Sequence, residues 1–236
     1  MLRALLSLAL VGCAAEAPRG PVLDPTAFVE AKQKIAAIQK DATGDRTEKI
    51  ALRIEAPYMP AAMTARGAVA IRPPEALRMI MLGPGGTTAM DLWSSGDRYR
   101  FSIPALERTL VGDAKTPLIE RRGLPVDFLR WWMLRPFAGR LLAARRDGTT
   151  LEVLIEDGDR VTDARFEPSG RVTAHRRWWT KADGVIDEEW LEATGTGCAK
   201  VSYRQKSTQI SVEATCESRR PGARDEAFVD PGGKTP

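Results

Sequence analysis

Apolar and polar residues alternate with a period of two along most of this sequence, and this pattern restricts the folds that the chain can adopt. Residues 48–55 alternate Ile50, Leu52 and Ile54 with charged side chains, and residues 98–103 repeat the pattern. A period of two turns one face of a strand toward the core and the other toward water. The alternation therefore predicts half-buried β-strands.

Short groups of Gly, Asp and Ser separate these runs, at 95–97, 147–148, 157–159, 169–170 and 183–184. Tight turns of this composition join antiparallel neighbours. We therefore predict a mainly β protein with a curved antiparallel meander of about 11–12 strands, half of them before residues 123–137 and half after. Because strands twist, a sheet of that size curls toward a barrel.

A helix is expected ahead of the first strand. Asp24 is a suitable N-cap, and Pro25 fits the first helical position. Four apolar residues then recur at helical spacing, opposite several lysines: Phe28, Ala31, Ile35 and Ile38. An amphipathic helix that buries one face and ends before Gly44 is the prediction.

The segment GLPVDFLRWWMLRPF, residues 123–137, gathers an unusual amount of apolar bulk. Pro125 and Asp127 suit the start of a helix, and the apolar side chains that follow surround almost the whole axis. Burial of five or six large apolar side chains contributes on the order of 10 kcal/mol. We expect a central helix inside the curled sheet, either as a displaceable lid or as a permanent core helix.

The N-terminus predicts export. Residues 1–12, MLRALLSLALVG, form an apolar run too short to cross a bilayer as a mature helix, so a signal peptide is expected. The order Leu-Val-Gly-Cys ending at Cys13 resembles the lipobox of bacterial lipoproteins, in which the Cys is lipidated. An ordinary cleaved signal peptide is the alternative. The expected organisation is a signal peptide (1–12), a linker after the lipidated Cys (13–23), one domain (24–216) and an irregular tail (217–236).

Two cysteines remain, Cys198 and Cys216, and both lie nine residues from Ser207. A hairpin folded about that point in an oxidising compartment predicts a disulfide, and two buried free thiols are the alternative. A two-residue turn would pair Tyr203 with Ile210 and Val201 with Val212 but would place the cysteines on opposite faces. A bulge near 195–197 would reconcile the two.

The order of elements and the central segment resemble the LolA/LolB family of lipoprotein carriers and receptors. Gly123, Leu124, Pro125, Leu129 and Trp132 match a G-x-x-L-P-x-x-x-L-x-x-W pattern of LolB approximately in spacing. The resemblance implies a divergent member with an unclosed half-barrel whose helices cover an apolar cavity. It also implies an outer-membrane lipoprotein that faces the periplasm and binds acyl chains of a lipid or lipoprotein without catalysis.

The resemblance assigns the cavity and its lid to the central segment: Leu124, Phe128, Leu129, Trp131, Trp132, Met133 and Phe137. A periplasmic carrier is the implied partner, and we expect a monomer. One feature of LolB is missing, because the loop expected between the third and fourth strands, residues 83–88, carries no projecting apolar residue apart from the neighbouring Leu82. Membrane insertion of incoming lipoproteins is therefore in doubt.

The stretch HRRWWTK, residues 175–181, interleaves basic and aromatic residues. These side chains are candidates for a cavity rim that contacts phosphate headgroups: Arg176, Arg177, Trp178 and Trp179. The alternative is a long strand with one Trp in the core and the other shielding the outer surface.

Composition argues against several other functions. The net charge is +4 and the pI about 9.1, but basic residues are dispersed, so no nucleic-acid partner is expected. The single His and the absence of a spaced His/carboxylate cluster argue against a metal, a cofactor and hydrolytic catalysis. The competing function is a structural or adaptor envelope lipoprotein with a filled core and a protein partner.

Overall fold

The computed structural model describes residues 24–57, 61–113, 116, 126–180, 185–195 and 198–233. Thirteen strands form one antiparallel sheet. The strands are β1 Arg46–Glu55, β2 Met63–Arg72, β3 Ala76–Leu82, β4 Thr88–Ser95, β5 Arg98–Ile103, β6 Arg108–Gly112, β7 Arg140–Asp147, β8 Thr150–Asp157, β9 Arg160–Phe166, β10 Arg171–Thr180, β11 Val185–Thr194, β12 Lys200–Gln205 and β13 Ser211–Pro221. Helix α1 is Pro25–Asp41 and α2 is Val126–Leu129.

The strand order fixes the path of the central segment. The sheet reads β6-β5-β4-β3-β2-β1-β13-β12-β11-β10-β9-β8-β7, so the first and last strands pair in its middle and β6 and β7 form its two edges. All sequence-consecutive strands are neighbours except β6 and β7. The connection between these two edges carries α2 and therefore crosses the buried face of an unclosed half-barrel.

The predicted mainly β half-barrel is confirmed, with slightly more strands than the pattern indicated. Strand β6 explains part of the difference, because its residues are exposed or only partly buried and give no two-residue burial alternation. Strand β1 shows the expected alternation, with Ile50, Leu52 and Ile54 buried. We call the face that carries these residues the inner face.

Helix α1 begins and packs as predicted. The Asp24 side chain accepts a hydrogen bond of 2.9 Å from the backbone N–H of Ala27, which caps the first turn. Ala31 and Ile38 are buried, and the helix packs on β7 and β8. Glu30 forms an ion pair with Arg146 of β7 at 2.6 Å.

The β12–β13 hairpin contains the predicted disulfide between Cys198 and Cys216, whose Cα atoms are 5.0 Å apart. The predicted register is wrong by two residues, because Tyr203 pairs with Val212 rather than Ile210. The turn is longer than two residues, since the N–H of Gln205 donates to the Ile210 carbonyl. The described irregularity of β13 lies where it meets β1, beside Cys216, rather than near 195–197, of which 196–197 fall outside the described residues.

The C-terminal segment is more ordered than the expected irregular tail. Strand β13 continues to Pro221, and residues 225–228 form a 3-10 helix on β3 and β4. The indole N–H of Trp93 donates to the Phe228 carbonyl at 2.8 Å. Asp230 forms ion pairs with Arg98 and Arg100, at 2.9 and 3.0 Å. An outward-facing Trp on β4 gives this segment a surface to cover, which composition alone did not reveal.

Within the described ranges, no helix combines the length and apolarity needed to cross a membrane.

Candidate functional site

The central helix fills the inner face of the sheet. We use this name for residues 126–134, which comprise α2 and one π-helical turn, Arg130–Leu134. Seven apolar side chains in and just after it are buried: Val126, Phe128, Leu129, Trp131, Met133, Leu134 and Phe137. Trp132 is partly buried against the same core. The helix is therefore covered on nearly all sides, as its sequence indicated.

Aromatic contacts join the central helix to the strands beneath it. The ring of Phe128 stacks on Tyr203 of β12 with centroids 4.6 Å apart. Phe137 makes edge contacts with Phe166 of β9 at 5.3 Å and with Trp131 at 6.5 Å. These contacts join the central helix and the turn after it to β9 and β12.

The chain leaves the central helix through two residues with left-handed backbone geometry. Phe137 has φ +52° and Gly139 has φ +122°. A Cβ atom at Gly139 would stand 2.3 Å from the Glu156 carbonyl oxygen, so only glycine fits this close approach to β8. The turn delivers the chain from the interior to the edge strand β7.

Little empty space remains around the central helix. A gap of about 30 Å³ lies beside Trp132, Met133 and Phe137, enough for about one water molecule. A cleft of about 210 Å³ opens between α1 and the start of β7, lined in part by Ile35 and Leu141. It is smaller than the usual ligand pocket of about 300–1,000 Å³. Among the described residues, the two openings that border the central helix are therefore too small for a usual ligand.

Arg46 of β1 fastens the central helix to its surroundings. Its guanidinium donates to the Ala42 carbonyl at the end of α1, at 2.8 Å, and to the Met133 carbonyl of the π turn, at 2.9 Å. Its Nε atom donates to buried Glu48 at 2.9 Å, and Glu48 also accepts from Arg219. One buried cation therefore satisfies carbonyls near the C-terminal ends of two helices, where helix dipoles favour positive charge.

Two further polar contacts hold the segment. Arg130 donates to the Ser94 hydroxyl at 2.8 Å and to the Arg98 carbonyl at 2.9 Å. The Gln39 amide of α1 donates to the Phe137 carbonyl at 3.1 Å. Together with Arg46, these contacts fix the central helix to β1, β4 and β5 in one half of the sheet and to α1.

A second buried guanidinium lies beneath the central helix. Arg176 of β10 is 3% exposed and forms an ion pair with Glu189 of β11, which is fully buried. The Tyr203 hydroxyl donates to the other carboxylate oxygen of Glu189 at 2.6 Å. The Arg176 guanidinium carbon stands 4.1 Å from the ring centroid of Trp131. Burial lowers the pKa of Arg176, and the charge of Glu189 opposes that effect.

One nitrogen of Arg176 has no hydrogen-bond partner in the part of the chain that the structure describes. Among the described residues, no hydrogen-bond acceptor reaches its buried Nη2 atom. Leaving a buried donor unsatisfied costs about 1–3 kcal/mol. Such an atom marks a position where another acceptor would be stabilised.

The outer face of β10 and β11 carries a different network. Arg177 forms an ion pair with Asp163 at 2.5 Å, and His175 contacts Glu188 at 2.8 Å. Hydrogen bonds from Lys206 and His175 lower the pKa of Glu188. These groups are partly or fully exposed, and Trp190 stacks on His175 with centroids 5.1 Å apart. Asp163, His175 and Trp190 line a shallow groove of about 540 Å³ on the side of the sheet opposite the central helix.

No family model matches the sequence, and neither does any curated protein. Solved structures do match. A LolA superfamily protein from Nitrosomonas europaea superposes with a TM-score of 0.52 at 12% identity, over 84% of this chain and 97% of that one. An outer membrane lipoprotein-sorting protein domain from Vibrio parahaemolyticus gives 0.51 at 12% identity, over 83% and 95%. The chain has the LolA-superfamily fold.

Within this LolA-superfamily fold, the residues predicted to form the lid fall together. Phe128, Leu129, Trp131 and Met133 lie in the central helix and Phe137 just after it, all buried. Leu124 and Cys13 lie outside the described residues. Their roles as lid and lipidation site therefore stay predictions.

The predicted rim separates into two faces of one strand. Arg176 and Trp178 are buried on the inner face, in agreement with the alternative of a long strand with one Trp in the core, and their role as a cavity rim stays a prediction. Arg177 is exposed on the outer face, and the side chain of Trp179 lies outside the described residues. Glu189 draws Arg176 inward, because the register places the two residues opposite each other on adjacent strands.

Sequence reasoning missed Arg46, Glu48 and Glu189. A signal existed for each, since Arg46 and Glu48 continue the inward register of Ile50, and Glu189 continues that of Leu191. Charged residues at positions of the inner face are unfavourable unless paired. They therefore pointed to buried ion pairs.

Proposed function

We propose that this protein is an envelope lipoprotein that binds acyl chains of a lipid or lipoprotein on the inner face of its sheet and releases them without chemical change. The described structure is then the closed, unloaded state. In this proposal Cys13 carries the lipid anchor, and the protein faces the periplasm from the outer membrane. A periplasmic carrier would deliver or accept the cargo.

The observation that carries the proposal is how the central helix is held. It fills the inner face, yet its polar tethers come from side chains such as Arg46 and Arg130 and from no strand ladder. Displacement of the helix would therefore expose apolar surface without breaking the sheet. The fold shared with a LolA superfamily protein and with a lipoprotein-sorting domain supports the same reading.

The closed state also makes release physically reasonable. Each buried methylene of an acyl chain contributes about 0.8 kcal/mol. A helix that must leave the inner face when cargo enters offsets part of that gain. Net affinity then stays modest, which a carrier requires.

A structural or adaptor lipoprotein is the second candidate. The nearly gap-free interior favours it, because a core helix that never moves would look the same. The two functions differ in whether the central helix can leave the sheet.

A dye-binding experiment separates them. The full chain with Cys13→Ala cannot be lipidated and can be studied without detergent. N-phenyl-1-naphthylamine, a neutral dye that fluoresces in apolar surroundings, should bind saturably and be displaced by a triacylated lipopeptide. Arg46→Gln, which removes one tether, should raise dye affinity by about threefold or more.

Arg53→Gln, on the outer face of the same strand, is the matched control and should leave dye affinity unchanged. Absence of saturable dye binding in both the parent chain and Arg46→Gln would reject the carrier and favour the adaptor. Native mass spectrometry of the lipidated protein would then show only unliganded chains.

A further inference from the structure

We propose that Arg176 binds the anionic headgroup of a single-chain amphiphile that replaces the central helix on the inner face. This inference rests on the proposed function, because the site becomes reachable only when the helix moves. It specifies a ligand class: one acyl or alkyl chain ending in a carboxylate or a phosphate. The three charged or polar members of the site are Arg176, Glu189 and Tyr203.

The ligand would take the place of Trp131 beside the Arg176 guanidinium. In the closed state the face of the Arg176 guanidinium is covered by Trp131 at 4.1 Å. A cation so placed is stabilised by the ring, and the stabilisation grows when water is excluded. When the central helix leaves, the guanidinium loses this cover while remaining in an apolar groove.

Arg176 also has a hydrogen-bond donor without an acceptor among the described residues. An arginine side chain carries five N–H donors and stays protonated in proteins. No acceptor from the described residues satisfies Nη2, although Arg176 is 3% exposed. A carboxylate or phosphate oxygen is the acceptor that matches a guanidinium best. The closed state thus holds a donor ready for an incoming oxygen.

The charged groups around Arg176 also determine which ligand the site favours. Both oxygens of Glu189 already accept hydrogen bonds, one from Arg176 and one from the Tyr203 hydroxyl. A second cation, Arg160, lies close enough to lower the pKa of Arg176 through charge repulsion, and its guanidinium lies over Trp178 at 4.9 Å. Two cations and one carboxylate leave a net positive charge, which favours an anion.

A second buried carboxylate of β11 contacts the β12–β13 turn rather than Arg176. Asp187 of β11 is buried, but its oxygens accept hydrogen bonds from the side chains of Gln205 and Ser207 and from the Ser207 N–H. It is therefore engaged with the β12–β13 turn. The ring of Tyr203, on which Phe128 stacks in the closed state, would line the path of the alkyl chain.

Headgroup competition tests the proposal. The full chain with Cys13→Ala is loaded with N-phenyl-1-naphthylamine and titrated with hexadecanoate, hexadecyl phosphate and hexadecanol, which share one chain length. We expect the anions to displace the dye at least about tenfold more effectively than the alcohol. The better anion identifies the source of the headgroup: hexadecanoate indicates a fatty acid, and hexadecyl phosphate a lysophospholipid-like lipid.

The decisive variant is Arg176→Gln/Glu189→Gln, which removes both charges and keeps a polar side chain at each position. It should lose the preference for the anions over hexadecanol, with each ligand measured against the variant's own dye affinity. Arg177→Gln, one residue away on the outer face, should retain that preference. Circular dichroism confirms that each variant is folded.

The outcomes are distinguishable. If the dye does not bind saturably, the proposed function fails and this inference with it. If the dye binds but the parent chain treats hexadecanoate and hexadecanol alike, or if the double variant keeps the anion preference, only the role of Arg176 is rejected.

Discussion

Arg46 and Arg176 are both buried arginines beneath the same helix, but they differ in what they contact. Arg46 is satisfied by Glu48 and by two carbonyls near helix ends. Arg176 has one carboxylate, one aromatic ring and one donor without a partner in the described chain. Burial alone therefore does not assign a role to an arginine in this protein. A fully bonded cation joins structural elements, whereas an incompletely bonded one is suited to a ligand.

The largest effect should follow removal of Arg176 alone. Arg176→Gln leaves Glu189 buried without a counter-charge, which costs about 3–5 kcal/mol in the free energy of unfolding. Urea unfolding at pH 8 measures it. A deficit below about 1 kcal/mol would contradict the buried pair.

A smaller loss is expected for Arg46. Arg46→Gln leaves Glu48 with Arg219 as a partner but leaves the Ala42 and Met133 carbonyls unsatisfied, at a cost of about 2 kcal/mol. Amide hydrogen exchange should quicken in residues 126–134 more than in β1. Arg53→Gln should change stability by less than about 1 kcal/mol. If the central helix is equally protected from hydrogen exchange in Arg46→Gln and Arg53→Gln, Arg46 does not tether it.

Substitution of both Arg176 and Glu189 separates the cost of an unpaired buried charge from the value of the ion pair itself. Arg176→Gln/Glu189→Gln leaves no buried charge without a partner, so it should lose less stability than Arg176→Gln alone. Urea unfolding of the single and double variants under one buffer gives the comparison. A double variant as unstable as Arg176→Gln would mean that the pair, rather than the unpaired charge, holds the interior together.

The smallest effect concerns the exposed network on the outer face. Hydrogen bonds from Lys206 and His175 lower the pKa of Glu188, so its contribution to stability is present above the unfolded-state pKa and is lost as pH falls through the folded-state pKa. Between pH 5 and pH 3 the parent should therefore lose slightly more stability than Glu188→Gln. The midpoints of urea unfolding at the two pH values test this.

Much of the fold was predictable because the alternation is local. The period-two pattern identified the meander, the Asp24 and Pro25 signals located α1, and the apolar segment at 123–137 predicted a helix on the buried face. The partners of Arg176 were not predictable in the same way. They depend on the register between β10 and β11, which a single sequence does not specify.

The β12–β13 hairpin shows the same limit. The cysteines and their compartment predicted the disulfide, yet the predicted register between β12 and β13 was wrong by two residues. Turn residues between 206 and 209 are polar throughout, so composition did not mark the turn. Long-range pairing with β1 decides the register of β13.

The pairing of the first strand with the last has a mechanical consequence for the molecule. The two halves are joined by the β1–β13 ladder at mid-sheet, whereas the connection that carries the central helix runs between the two edges. A proteolytic cut between β6 and that helix would leave both fragments associated. Because the central helix pairs with no strand, its displacement in the proposed function would leave the β1–β13 ladder intact.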